Sequence, residues 1–315
     1  MRGHLIAQVA VIGLIAWPFA AAAAGFQVAT NAGAAAQATG EFIPSPDFQN
    51  GAGSGDTGPV SSSVLAHSGS ESGFAAGDGL AAGTIDFGYF AGKADSRAMV
   101  PRGFTGEGGT FQYFASSTAD VLAVSQASFL VMPTLPFLTG TMGTVVVPID
   151  VSGTVSATLS PDVLSGGHIG PSNAQVLWRM AVGTPSGPGA MLSGETDYTG
   201  FSSGDMPGLH TLSFNVVLGV PTSLMMQYDL HSTAGITSGI GGGGRAHGMA
   251  EFTSTFRWMG ISQVLDADGN PIEYSIVSDA GIDWTQPAPA PVPVPVTLPL
   301  VLTGFAVALG FRRRR

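Results

Sequence analysis

The chain is 315 residues long, enough for one or two domains, and 10% of it is charged, against roughly 25% in ordinary soluble domains. Eleven Lys and Arg stand against 21 Asp and Glu, a formal net charge of −10, which argues against nucleic acid as a partner. There is no Cys, so a disulfide framework, a thiolate metal site and a Cys nucleophile are excluded.

In chain order, residues 1–24 read as a secretory signal peptide that hands the chain to the Sec export machinery. Arg2 gives a positive start, residues 5–17 form an apolar core too short to span a bilayer, Pro18 breaks it, and residues 20–24 are all Ala. The expected cut lies near Ala24. Residues 25–83 are rich in Gly, Ala and Ser and offer few large apolar side chains, so this stretch is expected to be partly mobile. Within it, residues 32–38 are a candidate helical turn, weakened by Gly33 and Gly40.

Residues 84–285 read as strands. Aromatics between Gly clusters mark 84–90 and 110–114. Val151, Gly153, Val155, Ala157 and Leu159 share one face of a period-2 run. The same alternation places Val176, Trp178, Met180 and Val182 together, then Leu212, Phe214, Val216 and Leu218, then Leu224, Met226, Tyr228 and Leu230. Phe252, Phe256 and Trp258 follow, and Ile272, Tyr274 and Ile276 close the series. Gly, Pro and Asp clusters separate the runs, and no helical apolar stripe of useful length intervenes. The expected class is therefore all-β: an antiparallel, jelly-roll-like β-sandwich ectodomain.

Residues 286–297 form a Pro-rich spacer, extended because Pro fixes φ and lacks a donor. Residues 298–311 carry no charge and are expected to form a transmembrane helix. At 1.5 Å per residue this gives roughly 21 Å, short for a bilayer core of about 30 Å. Arg312, Arg313, Arg314 and Arg315 end the chain, a stop-transfer cluster that stays on the cytoplasmic side. With these and Arg2 set aside, six basic residues face 21 carboxylates, a net charge of −15 for the exported body.

The tail VPVPVTLPLVLTGFAVALGFRRRR resembles the C-terminal sorting signal of PEP-CTERM proteins in its VPLPA-type variant: a Pro-bearing motif (Val292, Pro293, Val294 and Pro295), a short apolar helix and a terminal Arg cluster. It departs from the common variant at Val294, Val296 and Thr297, where Leu and Ala-Ser usually stand. The resemblance covers residues 292–315. It implies recognition by an exosortase, a membrane-embedded cysteine protease-transpeptidase, and transfer or release of the body to the surface. The implied course is an inner-membrane-anchored precursor, then a cell-surface or secreted protein with a structural or interaction role.

Chemistry is sparse. Asp266, Asp268 and Asn270 alternate oxygens around Gly269, which makes them a candidate calcium loop; the competing reading is a hairpin turn, since the EF-hand spacing is not met. Ser186 and Ser72 sit in loops without the frame of a nucleophile elbow. His67, His168, His210, His231 and His247 show no zinc spacing. Asp56-Thr57-Gly58 lacks the strand an aspartic protease triplet needs, and residues 241–244 read as a mobile loop tip. Two further readings stay open. A carbohydrate-binding module retaining exopolysaccharide would use an exposed aromatic, for which Trp284 is the candidate, Trp178 and Trp258 lying on apolar faces. A secreted glycoside hydrolase would use Glu251 and Glu273, placed on outward faces of neighbouring strands.

Overall fold

The structure, a computed structural model, describes residues 25–38, 47–55, 59–69, 75–100, 113–163, 172–184, 187–238, 242–278 and 281–289. The expected signal peptide and sorting motif, the apolar run 298–311, the Arg cluster, Ser72, His168, Ser186 and residues 56–58 lie outside the described residues. Among those described, no helix is long and apolar enough to cross a membrane.

Two antiparallel sheets make up the molecule. The first holds β1 (Gly25–Ala38), β2 (Asp47–Gly55), β6 (Tyr113–Pro133), β8 (Asn173–Thr184), β9 (Gly187–Asp197), β10 (Ser202–Gly204) and β12 (Thr222–Ser238), in the order β10-β9-β8-β12-β6-β1-β2, with β15 (Tyr274–Ser278) beside β6. In the second are β3 (Val60–Gly69), β4 (Ala76–Asp86), β5 (Tyr89–Val100), β7 (Met142–Val163), β11 (Gly208–Val217) and β13 (Gly242–Trp258), ordered β11-β7-β13-β5-β4-β3, with β14 (Gln263–Leu265) beside β7. From β5 onward the chain crosses repeatedly between the sheets, so that β5-β13-β7-β11 faces β6-β12-β8-β9. β6 and β7 run 21 and 22 residues, about 70 Å at 3.3 Å per residue.

This length gives the sandwich two unlike halves. Toward one pole, here the base, the sheets are held apart by rings. Phe90 of β5 stacks on Tyr228 of β12 at 5.0 Å, Phe252 on Phe256 at 5.0 Å, and Trp178 meets both of the latter across the interface. Offset and tilted aromatic contacts of this kind add to the area they bury. Burial pushes the Tyr228 hydroxyl well above the usual phenol range and that of Tyr89 up to about 12.

Toward the opposite pole, here the tip, the interior is mostly Ala, Gly and Ser, with Val100 and Ile236 as its large side chains. Ala36, Ala98, Ala115, Ala174, Ala234 and Ala246 are buried, and Ser96 donates to the Ser232 carbonyl across the sheets at 2.8 Å. A Cβ on Gly77 would stand 2.4 Å from the Ser116 carbonyl oxygen, and one on Gly79 would stand 2.5 Å from that of Thr118. Only Gly lets β4 come this close to β6.

The described residues of the 25–83 stretch therefore lie in strands of the sandwich. β1 to β3 lie within this stretch, and the division expected at Thr84 falls inside β4. Residues 32–38 are strand and not a helical turn: Ala32, Ala34 and Ala36 alternate inward and pair with β6. The run expected over 84–90 is broken by a two-residue turn at Phe87 and Gly88, Gly88 at φ +63°, which joins β4 to β5. The Gly run read as a loop tip enters β13, Gly242 to Gly244 pairing with Val163 to Pro161.

Candidate functional site

The base pole carries the root of the C-terminal tail. β13 ends at Trp258, the chain continues along β7, and residues 281–289 return across the base as a strap. Trp284 is the centre of the strap. It is 1% exposed, with its ring 4.3 Å from Phe87, 5.0 Å from Phe129 and 5.3 Å from Trp258. Its carbonyl accepts from Ile261 N at 2.8 Å and from Trp258 Nε1 at 3.1 Å. Further on, Ala288 N donates to the Trp258 carbonyl at 2.8 Å, and Arg257 Nε donates to the Ala288 carbonyl at 2.8 Å. The Pro-rich spacer thus begins as part of the body: it is pinned as far as Ala288. Gly260, at φ +94°, makes this contact feasible, since a Cβ there would meet the Thr285 oxygen at 2.4 Å.

Trp284 does not supply an exposed sugar platform. Its burial corrects that expectation, and the reason is local: Phe87, Phe129 and Trp258 leave an apolar slot that only a large ring fills. A groove of about 330 Å³ beside the strap is lined by Asp86, Phe87, Trp258, Asp283, Trp284 and Pro287, but the indole rings in its wall are buried. Both of its carboxylates are engaged locally: Asp86 accepts from Phe87 N at 2.7 Å, and Asp283 accepts from Thr285 N at 3.0 Å.

Asp266, Asp268 and Asn270 form a turn between β14 and the bridge at Pro271. Asp266 Oδ1 accepts from Asp268 N at 2.9 Å and from Asn270 N at 2.8 Å, and Asn270 Nδ2 donates to the same carboxylate at 3.3 and 3.4 Å. Those bonds, that from Asn270 N first, hold the Asp266 carboxyl below its usual value. The loop thus closes on itself through its best cation ligand, with the amide offering hydrogens where a cation needs oxygens. Among the described residues, no group of three or more His, Asp or Glu side chains is placed to hold a metal.

Glu251 and Glu273 are not neighbours. Glu251 lies in β13, paired with Lys93 of β5, whose Nζ is 3.5 Å away. Glu273 precedes β15 in the other sheet, its carbonyl accepting from Thr134 N. The expected strand adjacency fails because residues 263–278 divide between the two sheets. Trp178 and Trp258 are core residues, each 2% exposed.

Sequence reasoning missed the cross-strand ladder on the outer face of the second sheet. Asp95 of β5, 4% exposed, accepts from Arg97 Nη2 at 2.8 Å and from His247 Nε2 at 3.0 Å, with Lys93 Nζ at 3.7 Å. Burial alone would raise its pKa; the bonds from His247 and Arg97 outweigh that and hold the carboxyl well below the usual carboxylate range. His67 pairs with Asp78 on the same face. On the outer face of the first sheet, His231 pairs with Asp120 and Arg179 with Asp229. The only hint in the sequence is the Lys-x-Asp-x-Arg alternation of 93–97.

Comparison with known proteins finds no family model that matches the chain, and no curated protein or solved structure that matches it.

Proposed function

We propose that the chain is an exported ectodomain of jelly-roll type, delivered by its signal peptide and sorted through its C-terminal tail by an exosortase. In this reading it works at the cell surface or in the extracellular matrix as a structural or interaction protein. The strand order β5-β13-β7-β11 against β6-β12-β8-β9 supports the jelly-roll reading.

One observation carries the topological part of the proposal: both described ends lie near one strap. Phe26, beside the first described residue, meets Phe87 at 6.4 Å, and Phe87 meets Trp284. Both described ends leave from the base half of the body, Gly25 beside Gln126 of β6 and Ala288 beside Trp258, which leaves the tip half to be presented outward. That suits an ectodomain tethered first through the signal peptide and then through the tail. The non-enzymatic reading draws on the ladders, in which the clustered acids are taken up by histidines and arginines of the same or the neighbouring strand.

Replacing Pro293 and Pro295 by Ala in the producing cell tests the sorting step. The expected result is retention of the chain in the membrane fraction; undiminished arrival at the surface would overturn it.

A further inference from the structure

The outer face of the first sheet carries an aromatic ring laid over a glycine. Gly33 of β1 stands opposite Phe48 of β2 on one side and Thr118 of β6 on the other. A Cβ on Gly33 would lie 2.9 Å from Phe48 Cε1 and 3.1 Å from Thr118 Oγ1, so the ring covers the place where a side chain would stand. Covering a strand glycine with a cross-strand ring accounts for one side of Phe48. The rest is open, since Phe48 is 59% exposed.

Beside the ring runs a polar row. Asn50 of β2, Asn31 of β1, Asp120 of β6 and His231 of β12 stand opposite one another across four adjacent strands, about 14 Å from first to last. Both amides are exposed and have no hydrogen-bond partner among the described residues. Asp120 is bonded to His231 through one carboxylate oxygen. In the next row Thr233 stands opposite Thr118, and its Oγ1 is buried without a partner among the described residues. The rows lie in the half of β6 that starts at Tyr113, toward the tip.

The chemistry of this face says what covers it. An amide donates and accepts, as a sugar hydroxyl does, and an open ring face takes up the apolar C–H side of a sugar ring. Such a combination of one apolar surface with a few placed polar groups fixes a ligand's orientation. The row contains a carboxylate and no Lys or Arg, in a chain of net charge −10, so acidic sugars are repelled and neutral ones are not.

We infer that Phe48, Asn31, Asn50, Asp120, Thr118 and Thr233 form a binding site for a neutral hexose polysaccharide, with Phe48 as the stacking platform that Trp284 does not supply. This deepens the interaction role proposed above and rests on it.

The test uses the full-length chain in a sugar-free detergent, run in native gels cast with hydroxyethyl cellulose or galactomannan, and with alginate as the acidic comparison. The expected result is retardation in at least one neutral gel and none in alginate. Phe48→Ala should weaken that affinity about tenfold, and Asn50→Ala, which alters only an exposed side chain, about threefold. Retardation in neither neutral gel, or retardation undiminished in Phe48→Ala or in Asn50→Ala, overturns the site. Retardation in alginate as strong as in the neutral gels overturns the neutral ligand. No cell enters this measurement, so delivery to the surface stands or falls separately, in the Pro293 and Pro295 variants.

Discussion

Trp284 shows how one residue changes meaning between sequence and structure. Beside a Pro-rich spacer, with no alternating run around it, it read as exposed; in the fold it is the plug of the base. Truncating a buried Trp costs about 3–5 kcal/mol, so Trp284→Ala is expected to lower the urea midpoint strongly and to open residues 281–289 to protease before the sheets unfold. Asp95 is the residue whose charge matters most. Its carboxyl titrates lower in the folded chain than in the unfolded one, so its contribution is complete above about pH 4 and is lost as pH falls toward the folded value. Asp95→Asn should therefore cost about 1–3 kcal/mol at pH 7, and the gap to wild type should narrow in melts run at pH 3. Arg97 is half exposed, which sets the lower end of that range. At the Asp266 turn, melting curves with and without millimolar calcium should coincide, because the Asp266 carboxylate is already held by the Asp268 and Asn270 amides.

At the scale of elements, the strands with contrast between faces were legible. Val176 to Val182, Leu212 to Leu218 and Leu224 to Leu230 lie in β8, around β11 and in β12 with the expected inward residues. β1 to β4 were poorly legible, because apart from Phe26, Val28 and Ile85 their buried residues are small (Ala, Gly, Ser and Thr), and hydropathy does not separate these from the outward ones. The sheets there are so close that small size selects the residue. Gly79→Ala thus places a methyl on the Thr118 carbonyl and should cost about 1–3 kcal/mol, whereas the same change at Gly140, with nothing within 4 Å, meets only its positive φ. Denaturant unfolding of the two variants compares steric crowding with backbone strain directly. The strap and the Asp95 ladder were hidden for another reason: each joins residues far apart in the chain, and period-2 patterning carries no information on which strands pair.

For the whole molecule, length and polarity are the features that matter. The two longest strands, β6 and β7, run about 70 Å from base to tip, and the strap that holds Trp284 and Ala288 is pinned in the base half. A chain ending after Pro289 should keep the full melting temperature, and one ending after Asp283, which loses Trp284, should not. The processing history is the point on which the account stands. The intact mass of the protein recovered from the surface and medium of its host reads it directly. The expected mass corresponds to a chain that begins near Gly25 and ends within residues 290–297, beyond the strap that holds Ala288. A chain still ending at Arg315 and confined to the inner membrane would contradict the account.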